Sequence, residues 1–299
     1  MDKTLIIRTV NEYRQIRQDW YKQGLTVGLV PTMGALHEGH AALARVARKQ
    51  CQRTVASIFV NPAQFAPHED LNKYPRTEQS DHALLQQEGT DIVFAPTVTE
   101  LYPQGIPLDV GRQKGAFVEY LGKSHQMEGS IRPHFFRGVC TVLCKLFNII
   151  QPTHAYFGQK DIQQCCVTKS LVKDLFYPID IQVVETVRER DGLAMSSRNR
   201  FLNRQERRWA PTLYNALKHG QDVFRIRSTK SPEIIAAANR VILQEPNVKL
   251  EYLSLVDPNT LEPVHVVDPA VGAIFSGAIR VGNTRIIDNL LLGIPTSKL

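Results

Sequence analysis

Two histidines three residues apart stand where an apolar strand pattern gives way to a helical one. His37 and His40 belong to the segment PTMGALHEGH at 31–40. Residues 25–30 predict a buried strand, and from Ala41 apolar residues recur at helical spacing, so His40 falls in the first turn of a helix. The N–H groups and dipole of a helix N-terminus favour phosphate, and imidazoles can donate hydrogen bonds to it. The segment therefore predicts a cradle for a triphosphate.

The histidine pair has two other interpretations. Two imidazoles on one helix face can bind a metal ion, but zinc needs three or four ligands, and no Cys-x-x-Cys motif or further histidine cluster accompanies the pair. His-Glu-Gly-His is also one residue shorter than the zinc-protease pattern His-Glu-x-x-His. The second alternative is a polar helix cap with two surface histidines. The four-residue motif alone leaves this alternative open.

Three further polar segments each follow a strand-like run. They are NPAQF at 61–65, GQKD at 158–161 and MSSR at 195–198. In an open parallel sheet, loops at the carboxyl ends of the strands converge on one crevice. We therefore expect these loops and the histidine segment to face one ligand.

Strands and helices alternate over the first part of the chain. The predicted strands are 25–30, 54–60, 91–94, 154–157 and 180–185, and the predicted helices are 39–50, 78–88, 136–150 and 161–175. This order predicts an α/β fold with a doubly wound parallel sheet. Helices at 204–224 and 232–244, the latter capped by Ser231 with Pro232 at its first position, precede a strand-rich stretch at 249–292. We therefore expect domains 1–185 and 186–299, the second a smaller α+β domain.

Length and composition indicate an ordinary globular enzyme. The chain has 299 residues, 43% of them hydrophobic, enough for two domains with cores of their own. It contains no apolar run of about eighteen residues, so we expect no membrane partner. The first thirty residues carry Glu12 and Asp19 and lack the apolar stretch of a secretory signal. The expected location is the cytoplasm.

The cysteines and the net charge each admit a plain interpretation. The chain has five cysteines, which predict reduced core residues rather than a disulfide framework or a metal site: Cys51, Cys140, Cys144, Cys165 and Cys166. The net charge is +7, and the basic stretch at 204–209 could suggest nucleic acid. Acidic residues are interleaved throughout, however, and the surplus suits a cleft that attracts small anionic substrates. We expect no nucleic-acid partner.

Long motifs spread over the chain carry a resemblance to a known family. They are PTMGALHEGH at 31–40, SIFVNPAQF at 57–65, YPRT at 74–77, FGQKDIQQ at 157–164 and DGLAMSSRNRFL at 191–202, and the match runs on to RIIDN at 285–289. With them the chain resembles the pantothenate synthetase family, the AMP-forming pantoate–β-alanine ligases. The His-x-Gly-His order is similar to the nucleotidyltransferase superfamily that includes class I aminoacyl-tRNA synthetases.

The chain departs from the family pattern at two places. The family usually has Phe-Gly-Glu-Lys-Asp, whereas Gln159 replaces the acid here. The family's Arg-Pro-x-His-Phe-x-Gly-Val appears at 132–139 with its histidine displaced by one position, to His134. No catalytic role is therefore carried over to His134.

The resemblance implies an activity, a fold and partners. It implies ATP-dependent condensation of pantoate with β-alanine to pantothenate, through a pantoyl adenylate, with release of AMP and pyrophosphate. It further implies a Rossmann-like sheet of the HUP type, a C-terminal domain that closes the site, ATP with Mg²⁺, and a homodimer. The chemistry requires activation because a carboxylate and an amine do not condense in neutral water. The enzyme's task is then mainly positioning and stabilisation of charge.

The resemblance also assigns residues to roles. The catalytic residues it implies are His37, His40, Lys160, Ser196 and Arg198. ATP binding is assigned to Met33, Gly34, Ala35, Leu36, His37, Glu38, Gly39, His40, Gly158, Gln159, Lys160, Asp161, Val187, Met195, Ser196, Ser197 and Arg198. Pantoate is assigned to Gln64 and Gln164, with Asn61 supporting the same pocket. A magnesium-binding carboxylate is assigned to Asp81, for which an exposed acid at a helix start is the alternative.

Two rival classes of function remain open. One is another adenylyltransferase of the same superfamily, which would keep the histidine loop but transfer AMP onto a phosphate. It has no reason to carry Gln64 and Gln164. The other is a non-catalytic module that binds nucleotide or RNA, for which Lys160 and Arg198 need not converge on a triphosphate.

Overall fold

The chain folds into two compact units. A computed structural model describes residues 3–67, 69 and 71–298. The first unit comprises Met1–Phe157 and Val167–Val184, and the second comprises Gly158–Cys166 and Glu185–Leu299. As independently folding domains, 1–185 and 186–299 stay a prediction.

The first unit is built on a six-stranded sheet. Its strands are β1 (Leu5–Ile7), β2 (Val27–Thr32), β3 (Arg53–Ile58), β4 (Ile92–Phe94), β5 (His154–Gly158) and β6 (Asp180–Val184), in the order β1-β4-β3-β2-β5-β6. The pairs β1·β4, β4·β3, β3·β2 and β2·β5 are parallel. Strand order reverses between β2 and β5, which is the switch point where open α/β sheets bind ligands. The loop after β2 therefore begins at the expected binding position.

Helices cover both faces of this sheet. They are α1 (Val10–Lys22), α2 (Glu38–Gln50), α3 (Glu78–Gln87), α4 (Val98–Leu101), α5 (Glu128–Ile131), α6 (Phe135–Ile150) and α7 (Ile162–Asp174). On one face a buried core joins β2, β3 and β4 to α2 and α3, through Val30, Ala56, Val93, Leu43, Ala47 and Leu85. On the other face, the Tyr13 hydroxyl of α1 donates to the carbonyl of Ile150 in α6 at 3.2 Å. The doubly wound α/β prediction is confirmed.

The strand β1 and the helix α1 were not predicted from the sequence. The Thr9 hydroxyl accepts from the N–H of Glu12 at 3.3 Å, and the N–H of Thr9 donates to the Glu12 carboxylate at 3.2 Å. This reciprocal pair is a capping box, whose Thr-x-x-Glu signature was available in the sequence.

Within the described ranges, no helix is long and apolar enough to cross a membrane.

The second unit packs two long helices on an antiparallel sheet. Its elements are α8 (Glu206–Trp209), α9 (Thr212–Ile226), α10 (Ser231–Leu243), β7 (Val248–Val256), β8 (Ala273–Val281) and β9 (Thr284–Leu292), with strand order β7-β8-β9. Leu213 and Leu217 of α9 share one buried core with Ile234 of α10 and with Phe275 and Ile279 of β8. The predicted smaller α+β domain is confirmed as a fold class.

Two predicted helix boundaries in this unit are wrong. The single helix predicted at 204–224 is divided into α8 and α9, because Pro211 between them lacks the N–H that a continuous helix needs. Ser231 does not cap α10. It is the first helical residue, and its hydroxyl donates to the carbonyl of Val264.

The prediction of reduced core cysteines is confirmed. All five cysteines lie in the described part of the chain as buried thiols. Burial raises the pKa of Cys140 to about 12, with the neighbouring Cys144 adding to the effect. Such a thiol stays protonated and behaves as a small apolar side chain.

Candidate active site

The loop after β2 makes a tight turn into α2. Gly34 has a φ of +82° and Ala35 a φ of +51°. The N–H of Gly34 donates to the hydroxyl of Thr32 at 3.1 Å. A positive φ is unfavourable for alanine and persists only where the surroundings hold it. The turn therefore needs an external support.

Asp81 of α3 supplies that support. Its carboxylate accepts from the N–H of Ala35 at 2.9 Å and from the N–H of Leu36 at 2.8 Å. The Thr77 hydroxyl donates to the same carboxylate at 3.0 Å, and the side chain is only 2% exposed. Hydrogen bonds from N–H groups to a carboxylate are stronger than neutral ones. These contacts give Asp81 the role of holding the loop.

Magnesium binding by Asp81 was predicted from the family resemblance, and the buried contacts argue against it. Both carboxylate oxygens already face backbone N–H groups of the loop. Among the described residues, no group of three or more His, Cys, Asp and Glu side chains could hold a metal ion. The alternative of an exposed acid at the start of a helix is wrong, because the side chain is buried.

Replacing Asp81 by Asn should therefore affect stability and leave the metal requirement unchanged. One loop N–H would then meet an amide N–H₂ group, and a buried unpaired donor costs about 1–3 kcal/mol. We expect Asp81→Asn to lower the thermal midpoint by several degrees, while Asp174→Asn, at an exposed position, leaves it unchanged. The Mg²⁺ concentration for half-maximal rate should match the wild type. A tenfold increase in that concentration would restore the magnesium assignment.

The two histidines cap the N-terminus of α2. His37 is the N-cap residue, and its Nδ1 accepts from the N–H of Gly39 at 3.1 Å. The N–H of His37 in turn donates to Nδ1 of His40 at 3.3 Å, and the two ring centroids lie 4.2 Å apart. Because each Nδ1 accepts a backbone hydrogen bond, the neutral rings carry their hydrogen on Nε2.

In this arrangement, His37 and His40 can cap the helix and also donate hydrogen bonds to a phosphate. The cap fixes the tautomer of both rings, and the fixed tautomer presents an Nε2–H donor from each ring at the positive end of a helix. The metal interpretation loses support. A neutral imidazole has one nitrogen lone pair available for a metal ion, and in both His37 and His40 this lone pair, at Nδ1, already accepts from a backbone N–H.

Glu38 follows the N-cap and lies on the surface. Its carboxylate pairs with Arg45 at 2.9 Å, and Arg45 also contacts Glu88 at 2.8 Å. Hydrogen bonding from Arg45 lowers the pKa of Glu88. The side chain of Glu38 thus belongs to an ion-pair cluster. The predicted contact between Glu38 and ATP would therefore be made by the backbone of Glu38.

Asn61 organises the turn after β3. It caps the 3₁₀ helix Pro62–Gln64, and its side-chain N–H₂ donates to Gln64 Oε1 at 3.1 Å and to the carbonyl of Gly138 at 3.0 Å. The Tyr102 hydroxyl donates to Asn61 Oδ1 at 2.8 Å. Burial raises the pKa of Tyr102, which keeps the phenol protonated as a donor.

These contacts bring Gln64 to the histidine loop. Gln64 Nε2 lies 3.1 Å from the sulfur of Met33. The side chain is 9% exposed and its amide oxygen faces Asn61. A residue assigned to pantoate thus contacts a residue assigned to ATP within the first unit.

The helix α6 approaches this turn closely through Gly138. A Cβ at this position would lie 2.3 Å from the carbonyl oxygen of Ala63 and 2.6 Å from the nitrogen of Gln64. The carbonyl of Gln64 also accepts from Arg132 at 3.2 Å, and Arg132 pairs with Glu69 at 2.6 Å. The motif at 132–139 therefore supports Gln64, a role that was not predicted from the sequence.

In the second unit, a polar network holds residues 159–160. Asn289 of β9 donates to the carbonyl of Gln159 at 2.8 Å and to that of Lys160 at 3.0 Å. Gln159 Nε2 donates to Asn289 Oδ1 at 3.1 Å, and the Thr296 hydroxyl donates to Gln159 Oε1 at 2.7 Å. Gln159 is buried at 7% exposure. The departure from the family's glutamate thus lies inside a satisfied network.

The other residues assigned near this loop are more accessible. The Lys160 side chain is 19% exposed, and its ammonium lies 3.5 Å from the Asp161 carboxylate. Gln164 lies in the first turn of α7 and is partly buried. Gln164 belongs to the second unit and Gln64 to the first, so their joint assignment to pantoate stays a prediction.

Residues 187–195 form a short antiparallel hairpin in the second unit. The N–H of Met195 donates to the carbonyl of Val187 at 3.0 Å. The Arg188 guanidinium is bidentate on Asp288 of β9 at 2.6 and 2.9 Å, and it lies 4.3 Å over the Tyr214 ring. Burial raises the pKa of Asp288, against the opposing effect of Arg188.

The hairpin leads into the Met-Ser-Ser-Arg segment. The Ser196 hydroxyl accepts from the N–H of Arg198 at 3.3 Å and so caps the 3₁₀ helix Ser197–Phe201. Ser197 is buried, and Arg198 is partly buried. The hairpin thus brings the backbone of Val187 against that of Met195, and the assignment of Val187 and the 195–198 segment to the nucleotide stays a prediction.

Comparisons with known proteins agree over most of the chain. A family model described as Pantoate-beta-alanine ligase matches residues 5–291. The pantothenate synthetase of Koribacter versatilis (strain Ellin345) is 46% identical over 287 residues, covering 96% of this chain and 95% of that protein. A crystal structure of pantothenate synthetase from Thermus thermophilus has a TM-score of 0.87 at 41% identity, covering 96% of this chain and 99% of that one.

A further solved structure contains small molecules. It is a pantoate-beta-alanine ligase from Francisella tularensis complexed with beta-gamma ATP and beta-alanine. The TM-score is 0.74 at 30% identity, covering 98% of this chain and 100% of that one.

Proposed function

Because the chain belongs to the pantoate–β-alanine ligase family and is therefore a carbon–nitrogen ligase, we propose that it makes pantothenate in two steps. Pantoate and ATP form pantoyl adenylate and pyrophosphate, and β-alanine then displaces AMP. The observation that carries the proposal is that backbone N–H groups donate to Nδ1 of both His37 and His40, which places the hydrogen of each neutral ring on Nε2. They lie in the loop at the strand-order switch.

In the first step a pantoate carboxylate oxygen attacks the α-phosphorus of ATP. The new bond joins that oxygen to phosphorus, and the bond to the pyrophosphate oxygen breaks, so pyrophosphate leaves with the electron pair. Negative charge grows on the phosphate oxygens. His37 and His40 donate to these oxygens, with His40 the main donor in the transition state, and Lys160, Ser196 and Arg198 act on the same charge.

In the second step the β-alanine amine attacks the acyl carbon of the adenylate. A carbon–nitrogen bond forms, the acyl–oxygen bond breaks with its electron pair leaving on the phosphate oxygen of AMP, and the nitrogen releases one proton to water. Gln64 and Gln164 hold the pantoyl group through neutral donor and acceptor atoms, which can pair with its hydroxyls as well as its carboxylate. Asn61 supports Gln64 through its amide contact at 3.1 Å.

The nucleotide contacts follow the family assignment. ATP lies against the loop 33–40 and against Gly158–Asp161, Val187 and 195–198. The Francisella tularensis relative, complexed with beta-gamma ATP and beta-alanine, supports ATP and β-alanine as substrates of this chain.

Mg²⁺ would enter with ATP. The ion keeps several waters and is usually held through substrate phosphates and one or two carboxylates. Asp81 does not fit as its protein ligand, because its oxygens face the loop N–H groups. When bound, the ion neutralises phosphate charge. The histidine, lysine and arginine donors act independently of any protein carboxylate on the metal.

Assembly, location and domain behaviour follow from the family resemblance alone. We propose a cytoplasmic homodimer in which 1–185 and 186–299 are the folding domains and the second closes the site. Light scattering on the purified chain tests the dimer, and fractionation of the cells that make it tests the location.

Pyrophosphate exchange tests the two-step reaction. With Mg²⁺ and pantoate but without β-alanine, labelled pyrophosphate should exchange into ATP, because the first step is reversible on its own. Omission of pantoate should abolish exchange. Lys160→Ala and Arg198→Ala should depress it, since both cations act on the triphosphate in that step.

The same assay separates the rival functions. An adenylyltransferase that acts on a phosphate would require a phosphorylated acceptor for exchange, and a binding module would show no exchange under any condition. Exchange that appears only after β-alanine is added would contradict a separate adenylate step.

A further inference from the structure

Two adjacent polar residues interrupt the apolar strand β9. Asp288 is 3% exposed and Asn289 is 1% exposed. Buried polar groups are costly unless hydrogen bonds satisfy them. The sequence motifs assigned no role to either residue. The hydrogen-bond partners of the two side chains indicate their role.

The partners of Asn289 belong to the segment 159–160. Its Nδ2 donates to two successive backbone carbonyls, of Gln159 and Lys160, at 2.8 and 3.0 Å. Its Oδ1 accepts from Gln159 Nε2 at 3.1 Å. The orientation of the amide is fixed, because turning it would lose all three contacts.

The partner of Asp288 belongs to the hairpin 187–195. Its carboxylate accepts from Nη1 and Nη2 of Arg188 at 2.6 and 2.9 Å, and Arg188 directly follows Val187. Asp288 also accepts from the N–H of Asn289 at 2.8 Å. Two separate segments that are assigned to the nucleotide, 158–161 and 187–195, are thus hydrogen-bonded to neighbouring residues of one strand.

We propose that Asp288 and Asn289 are positioning residues that hold the segment 158–161 and the hairpin 187–195 on β9 in the geometry that ATP requires. The inference rests on the proposed function, because that function assigns both segments to the nucleotide. It adds a role for Gln159, whose amide donates to Asn289 and accepts from Thr296 and does not titrate.

Position 159 therefore gives a sharp test. In this chain, where Thr296 already donates to Oε1 of residue 159, an ionised glutamate would place its second oxygen against Asn289 Oδ1, whereas a protonated glutamate could donate to Oδ1 as Gln159 does. The charged groups around the site are Lys160 with Asp161, and Arg188 with Asp288. Burial and the facing oxygen raise the pKa of a glutamate at this site, and Lys160 opposes that rise.

The experiment measures pyrophosphate exchange by wild type and Gln159→Glu from pH 6 to 9, with ATP varied. At pH 8.5 we expect the variant's kcat/KM for ATP to be roughly tenfold lower, the scale for losing a buried hydrogen bond. The ratio of variant to wild type should recover as pH falls. Gln244→Glu, the same charge change at an exposed position of the second unit, should keep a ratio near one throughout.

The possible outcomes decide the inference. A ratio near one at all pH values, or a deficit that does not change with pH, would overturn it while wild-type exchange keeps the proposed function intact. Absence of wild-type exchange would overturn the proposed function and this inference with it. If Gln159→Glu does not fold, Thr296→Val replaces it. Loss of that hydroxyl should raise KM for ATP several-fold with kcat little changed, and an unchanged KM would contradict the network's role.

Discussion

His40→Ala is expected to lower kcat by roughly 10² to 10³, the scale for removing one preorganised donor from a transition state. The reason is geometric. The backbone N–H of His37 occupies Nδ1 of His40, so the ring's hydrogen lies on Nε2. That donor stabilises charge only as it grows on the phosphate, so the loss should fall on kcat more than on KM for ATP.

His40→Asn separates catalysis from capping. The Asn side-chain oxygen occupies nearly the same place as Nδ1 and can still accept from the N–H of His37, but it has no atom where Nε2 was. We expect His40→Asn to keep the thermal midpoint of the wild type and to lose as much kcat as His40→Ala. The alanine variant should also lose some stability, about 0.5–1.5 kcal/mol, because the N–H of His37 loses its acceptor.

The control is His219→Asn, at an exposed position of α9, which should leave kcat and the thermal midpoint unchanged. Turnover like that of the wild type in purified His40→Asn would remove the Nε2 donor from the mechanism. A fall in kcat that tracks the loss of stability across both His40 variants would mean that the histidine only caps the helix.

Local patterns in the sequence predicted the fold. The alternation of strands and helices gave the parallel sheet, because apolar periodicity is a property of neighbouring residues. The helix break at Pro211 was also local, and its backbone effect was overlooked. The capping box at Thr9 and Glu12 was likewise present in the sequence.

The supports of the site could not be predicted in the same way. Asp81 reaches the N–H of Leu36 across 45 positions, and Asn289 reaches Gln159 across 130. No periodicity joins such pairs, since the fold alone brings them together. Family resemblance led to a magnesium role for Asp81, whereas its contacts show a carboxylate used to hold a strained turn.

Gln159 shows how a departure from a family pattern can be structural. In the sequence it was a missing acid beside Lys160. In the fold its amide donates to Asn289 and accepts from Thr296 at 2.7 Å, a combination that an ionised carboxylate cannot provide. The adjacent polar residues in RIIDN, inside an apolar strand, were the sequence signal for this network.

Gly138→Ala should cause the other large loss, through Gln64. The added methyl group would lie 2.3 Å from the carbonyl oxygen of Ala63, which is backbone and cannot swing aside. Either α6 or the turn at Pro62–Gln64 must therefore shift. Overpacking of this kind costs about 1–3 kcal/mol of stability, and displacing a substrate-positioning group by about 1 Å can cost about 10² in rate. We expect kcat/KM for pantoate to fall about 100-fold.

The specificity of that loss is what tests the assignment of Gln64. ATP contacts the loop 33–40 in the proposed mechanism, so KM for ATP should change much less than KM for pantoate. Gly111→Ala is the matched control, because its Cβ would meet only Asp109 Oδ1 at 3.5 Å, an ordinary contact. It should leave both constants and the thermal midpoint unchanged. If Gly138→Ala folds and keeps its affinity for pantoate while losing that for ATP, then the turn that carries Gln64 serves the nucleotide, and the division of the loops between the two substrates must be reversed.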